Sequence, residues 1–335
     1  MLCYVADYAQ NMCLPNFASE QPGATYYYSP FNVYVFGVVD ASIDSLTAYM
    51  YPEDIGKKGG NNVASLLMRH LHRTSIATTA EPFKEINFVM DNCSGQNKNR
   101  HVLRLLHLLV KRKVATTARA IFLVRGHTKN DCDRLFNTMK KVYRKSNCFT
   151  PNDIVECMVH PKVEPVMVAA GDFADWDKLE DEYIKAPTGE TKTNHIFLVD
   201  INRNNGNSMY LQESDGSVET ELVLVRPQYQ NQDDATFWKE LQPLVIPALG
   251  IQDIKWRELY KKWGAFVPED KEQQWRYYNE APPEEKMKTA ATHTKESSHQ
   301  RKKRSRTVHD NDAKPLQSAK EEHDTKELDA TTGVI

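Results

Sequence analysis

The chain has 335 residues, 40% of them hydrophobic, enough to bury a sizeable core and to hold two domains. It contains no run of about 18 apolar residues, so no membrane-spanning helix and no membrane partner is expected. The formal net charge of −2 hides an uneven distribution: residues 91–150 carry fourteen Lys and Arg against Asp91, Asp131 and Asp133, a local charge of +11.

In chain order, residues 2–6 (LCYVA) are apolar and end at Asp7. Residues 31–39 (FNVYVFGVV) and 46–51 (LTAYMY) are rich in β-branched and aromatic residues, and the short segment between them suits an antiparallel hairpin. The loop 56–60 (GKKGG) precedes a helix capped by Asn61 or Asn62 and running to about His72. A strand at 86–90 ends at Asp91, a helix covers 99–113, a buried strand covers 120–124, and a further helix runs from about Asn130 to Arg144. This order predicts an α/β mixed sheet, an antiparallel hairpin plus helix-linked parallel strands, with helices on both faces.

From Pro161 strand-like pieces (166–170, 195–201, 209–212, 222–226) are broken by Asn, Gly and Asp, and an aromatic-rich helical stretch follows (236–278). The expected organisation is a first domain over 1–158, a smaller α/β appendage over 159–280, and a charged, disordered tail over 281–335. Within that tail the run from Arg301 to Arg306 (RKKRSR) fits a nuclear-import or nucleic-acid patch and points to a nuclear or cytoplasmic protein.

Six cysteines form no CxxC pair and no zinc-ligand spacing, which predicts free thiols in a reducing compartment. The glycosylation pattern at Asn92-Cys93-Ser94 is then accidental, and the chain is not expected to be secreted. Cys93 with His127 could form a thiol hydrolase pair, but no third orienting group is evident.

Ligands of open α/β sheets gather beyond the carboxyl ends of the strands, where Asp7 and Asp91 are placed. Carboxylates brought together repel unless a cation holds them, and oxygen ligands suit Mg²⁺ or Mn²⁺. A third carboxylate should come from the helix near residue 130. Asp133 shares a polar face with Asn137, Lys140 and Arg144, whereas Asp131 follows Thr128 in a capping-box-like pattern, so Asp133 is the expected ligand and Asp131 the expected cap. On the preceding helix Arg100, Arg104, His107 and Lys111 recur at steps of four, three and four, opposite an apolar stripe. Lys98, Arg100, Arg104, Lys111, Arg134 and Lys140 are the candidate contacts to a phosphate backbone; a solvated helix face is the alternative. His127 stands near the end of a strand, as an assisting group or a structural hydrogen-bonder.

These runs, DYAQN (7–11), DNCSGQNKN (91–99) and GHTKNDCDR (126–134), resemble those of a transposon-derived branch of the DDE/DDD-type transposases and integrases. The resemblance covers about residues 2–154 and, more loosely, 194–268, where Lys262-Trp263 and Phe266-Val267-Pro268 fit it. It implies a ribonuclease-H-like core in which Asp7, Asp91 and Asp133 bind two Mg²⁺ or Mn²⁺ ions for cleavage and transfer of DNA phosphodiesters. It also implies DNA as partner, with homo-oligomers as an option. The chain begins at the first strand, so a truncated or domesticated element is expected, in the extreme a nucleic-acid-binding remnant without chemistry.

Overall fold

The computed structural model describes residues 1–124, 130–187, 189 and 191–282. The first half folds as β1 (Leu2–Tyr8), β2 (Met12–Leu14), β3 (Phe31–Asp40), β4 (Ser45–Pro52), α1 (Gly60–Arg73), β5 (Phe83–Met90), α2 (Arg100–Lys111), β6 (Ala115–Phe122) and α3 (Asp131–Tyr143). The second half adds α4 (Pro151–Cys157), β7 (Val163–Met167), β8 (Ala174–Asp175), α5 (Trp176–Tyr183), β9 (Ile196–Asp200), β10 (Ser208–Gln212) and β11 (Thr220–Val223). It closes with α6 (Ala235–Glu240), β12 (Leu244–Val245), α7 (Asp253–Glu258), α8 (Glu269–Glu272) and α9 (Arg276–Asn279).

Nine strands line up in the order β11-β10-β9-β6-β5-β1-β3-β4-β7, with β2 added beside β3. The pairs β1/β5, β5/β6 and β4/β7 are parallel and the others antiparallel, so the expected mixed α/β sheet is present. Side chains alternate between two cores, as a period of two requires. On β3 and β4, Phe36, Val38, Tyr49 and Tyr51 face one core; Val33, Val35, Leu46, Ala48 and Met50 face the other. The first core is covered by α1 and α2, whose Val63, Leu66, Leu67, Val102, Leu105, Leu106 and Leu109 are fully buried. Each such leucine contributes on the order of 1.5–3 kcal/mol by leaving water. The second core is covered by α3, α4 and the aromatic residues Trp256, Trp263, Tyr277 and Tyr278.

The segment after residue 158 differs from the appendage expected of it. β7 extends one edge of the sheet by pairing with β4, and β9 extends the other by pairing antiparallel with β6. The described residues accordingly belong to one compact unit. Asn, Gly and Asp between those strands mark turns, and turns alone carry no information about which strand a later one joins. The helical stretch at 236–278 is broken into short pieces rather than one long helix. The tail from residue 283, with its Arg301–Arg306 run, lies outside the described residues. Among the described residues no helix is long and apolar enough to cross a membrane.

Candidate carboxylate site at the strand ends

The β1/β5 pairing sets Ala6 opposite Met90. Continued by one residue, the same register sets Asp7 opposite Asp91, one parallel-strand spacing of about 4.8 Å apart in the backbone. Alternation settles the face. Tyr4 and Ala6 enter the core under α1 and α2, as do Phe88 and Met90, so Asp7 and Asp91 both turn toward the α3 side. Asp7 is half-buried; its Oδ1 accepts from the Tyr8 N–H at 2.7 Å and its Oδ2 from Asn130 Nδ2 at 3.2 Å. Asp91 Oδ1 accepts from the Cys93 N–H at 3.2 Å and from the fully buried Asn97 side-chain amide. Burial, then the neighbouring Asp91 and more weakly Asp133, push the Asp7 carboxyl up to about 6.

The third acid arrives on α3. Asn130 caps this helix: its Oδ1 accepts from the Asp133 N–H at 3.2 Å, and Asp133 Oδ2 accepts from the Asn130 N–H at 3.3 Å. This reciprocal capping box corrects the division of labour expected from the sequence. The box belongs to Asn130 and Asp133, while Asp131 is exposed and lies 4.0 Å from Arg134. Thr128, the expected partner of Asp131, lies outside the described residues, as does His127. Asn130 thus links Asp7 to Asp133, a role that the sequence reading missed; an Asn followed three residues later by an acid was the available signal. α3 comes close because Cys132 donates its thiol to the Val5 carbonyl at 3.2 Å and because residue 37, opposite Asp7 on β3, is glycine. A Cβ there would meet the Phe136 ring at 2.6 Å and push the helix away.

Removal of the cap has a measurable consequence. Asn130→Ala should lower stability by about 1 kcal/mol (0.5–2), while Asp131→Ala should change it by less than about 0.5 kcal/mol. Urea denaturation of the two variants distinguishes them, and the reverse ranking would restore Asp131 as the cap.

Among the described residues no group of three or more His, Cys, Asp or Glu side chains is gathered so as to hold a metal ion. Asp7 and Asp91 form the close pair, and the Asp133 carboxylate is turned into its own helix cap. One cation was also missed. Lys58, in the glycine-rich loop before α1, donates to the Ala9 carbonyl at 2.9 Å and lies 5.0 Å from the Tyr8 ring centre. Burial lowers its pKa and the Asp7 charge opposes that shift, so the ammonium stands within electrostatic reach of Asp7.

Most of the basic stripe on α2 is not a free surface, which corrects the expected phosphate contacts at Arg104 and Lys111; Arg100 is exposed. Arg104 is 1% exposed; its guanidinium lies 2.5 Å from Asp181, 3.6 Å from Asp177 and 3.7 Å from Glu180, all on α5. Arg100 pairs with Asp177 as well. Lys111, 3% exposed, donates to the Asn205 carbonyl at 2.8 Å beside the Trp238 ring, and burial lowers its pKa to about 8. His107 is fully buried, bonded to the Gly206 carbonyl at 3.0 Å, and burial lowers its pKa to about 4. Lys98, 6% exposed, ties down the Lys192 carbonyl at 3.1 Å. On α3 Arg134 is exposed and paired with Asp44, and Lys140 is half-buried. The α2 periodicity was read correctly, but its polar face is largely covered: Arg100 and Arg104 meet the acidic helix α5, and His107 and Lys111 meet residues 205–206.

No curated protein and no solved structure matches this chain. One family model does, over residues 26–215, a span that includes Asp91, Asn130 and Asp133 and begins after Asp7. That span is more than half of the chain, which therefore belongs to the family described as a domain of unknown function, DUF7869.

Proposed function

We propose that the chain is a transposase-like, metal-dependent nuclease or polynucleotidyl transferase acting on DNA phosphodiesters, on a ribonuclease-H-like core. The observation that carries this reading is the pairing of Asp7 and Asp91 at the ends of adjacent parallel strands, with the Asp7 carboxyl raised to about 6 by burial and by the charges of Asp91 and Asp133. The strand order supports it too: the β3–β4 hairpin lies on one side of β1, and β5 and β6 run parallel to β1 on the other.

The donor set fits Mg²⁺ or Mn²⁺ in kind, since it consists of carboxylate oxygens whose mutual repulsion a divalent cation would relieve. Asp7 and Asp91 would hold it, with Asp133 joining by giving up its bond to the Asn130 N–H. When bound there, such an ion would supply activation of an attacking hydroxyl and charge compensation for the leaving oxygen. The protein's own groups keep the geometry: Asn130 orients Asp7, Asn97 orients Asp91, and the buried strands fix both backbones. Lys58 supplies positive charge on the same side, where a phosphate would approach.

A second reading, binding of nucleic acid without cleavage, is favoured by the engagement of Asp133 in its capping box. The two readings separate in one assay. Purified protein should nick supercoiled plasmid with Mn²⁺, and Asp91→Asn should abolish nicking while melting at the same temperature within a few degrees. Equal nicking by wild type and Asp91→Asn would sink the cleavage reading; retention of plasmid without nicking would support the second.

A further inference from the structure

Cys148 and Cys157 lie in sulfur-to-sulfur contact at 3.9 Å, although all six cysteines of the chain are free thiols. Cys148 is fully buried, and both of its backbone groups are bridged to Asn16, at 2.9 and 2.7 Å. Its sulfur therefore has little freedom to move. Cys157 is the last residue of α4, partly exposed, with its thiol 3.2 Å from the Ile154 carbonyl. It lines an open cavity of about 420 Å³ beside Phe149, Glu156, Pro268 and Lys271. One thiol is thus reachable by a small oxidant, and the other waits behind it. Hydrogen bonding between the pair draws Cys157 below the ordinary thiol range, because a thiolate there accepts the Cys148 S–H.

We propose that Cys148 and Cys157 are a site of covalent modification by hydrogen peroxide, with Cys157 the thiol that reacts with the peroxide and Cys148 the resolving one. The Cys157 thiolate attacks one peroxide oxygen, the O–O bond breaks, and the departing hydroxide is protonated to water. Cys157 is left as a sulfenic acid. The Cys148 sulfur then attacks the Cys157 sulfur, the S–O bond breaks, and hydroxide leaves with the Cys148 proton as a second water. In sum two thiols and one peroxide yield one disulfide and two waters. A disulfide needs the sulfurs about 2.05 Å apart, so they must approach by nearly 2 Å. Rotation of the Cys157 side chain can supply this, since no further helical turn follows α4. The bond would tie the end of α4 to the segment bridged to Asn16.

The test uses the full chain, reduced and then treated with hydrogen peroxide. Intact mass should fall by about 2 Da, with two fewer alkylatable thiols, and peptide mapping should join residues 148 and 157. In Cys148→Ser, dimedone should label Cys157. Cys157→Ala, at a partly exposed position, should abolish the mass loss without altering the melting temperature. The proposal is overturned if wild type keeps both thiols alkylatable, if the disulfide joins other cysteines, or if dimedone fails to label Cys157 in Cys148→Ser.

Discussion

Asp7→Asn should stabilise the metal-free protein at pH 7 and leave it unchanged below about pH 4. The Asp7 carboxyl is raised from 3.8 to about 6, so between these values the folded chain binds its proton more tightly than the unfolded chain does. Stability therefore falls as pH rises through this window and stays at the lower level above it. A shift of roughly two units corresponds to at most about 3 kcal/mol, the cost of holding a charged carboxylate half-buried beside Asp91. An amide keeps the shape and an acceptor for Asn130 Nδ2 without that charge. Urea denaturation of wild type and variant at pH 4 and pH 7 measures the difference. Added Mn²⁺ should recover the deficit in wild type and do nothing for Asp7→Asn. If both proteins show the same pH dependence, the carboxylates are not coupled and the proposed site loses its main support.

The second large effect is expected at Arg104. Arg104→Ala should destabilise the fold by about 3–5 kcal/mol, the usual cost of removing one member of a buried charged network. The change strands Glu180, a fully buried carboxyl on α5 whose two oxygens have no hydrogen-bond partner among the described residues. Burial holds this carboxyl well above the usual range, and the Arg104 charge works against that shift. Arg104→Met should cost less than the alanine change, since it keeps much of the packed volume. Adding Glu180→Gln to Arg104→Ala should recover part of the loss, because without Arg104 the buried carboxyl must either take up a proton or carry an unpaired charge, and an amide does neither. A solvated phosphate-binding arginine would behave differently, with all three variants within about 0.5 kcal/mol of wild type. Chemical denaturation of the set decides between the two roles.

The sequence by itself determined the local elements that build the site. Alternating β-branched and aromatic residues specified β3 and β4, the apolar run before Asp91 specified β5, and the helical period of Val102, Leu105, Leu106 and Leu109 specified α2. Each of these signals is short-range, so the course of β1 and β5 and the acids at their carboxyl ends, Asp7 within β1 and Asp91 just after β5, were legible. Tertiary structure alone decided three further matters. Strands after residue 158 join both edges of the sheet, because pairing depends on distant partners that turn residues do not name. Asn130 and Asp133 close a capping box beside Asp7, because Gly37 and the Cys132 thiol let α3 pack down on β1. The basic face of α2 is paired with Asp177 and Asp181 of α5 at Arg100 and Arg104 and covered by residues 205–206 and Trp238 at His107 and Lys111. A one-dimensional pattern distinguishes polar from apolar faces, but whether a polar face meets water or an oppositely charged helix depends on what the rest of the chain places against it.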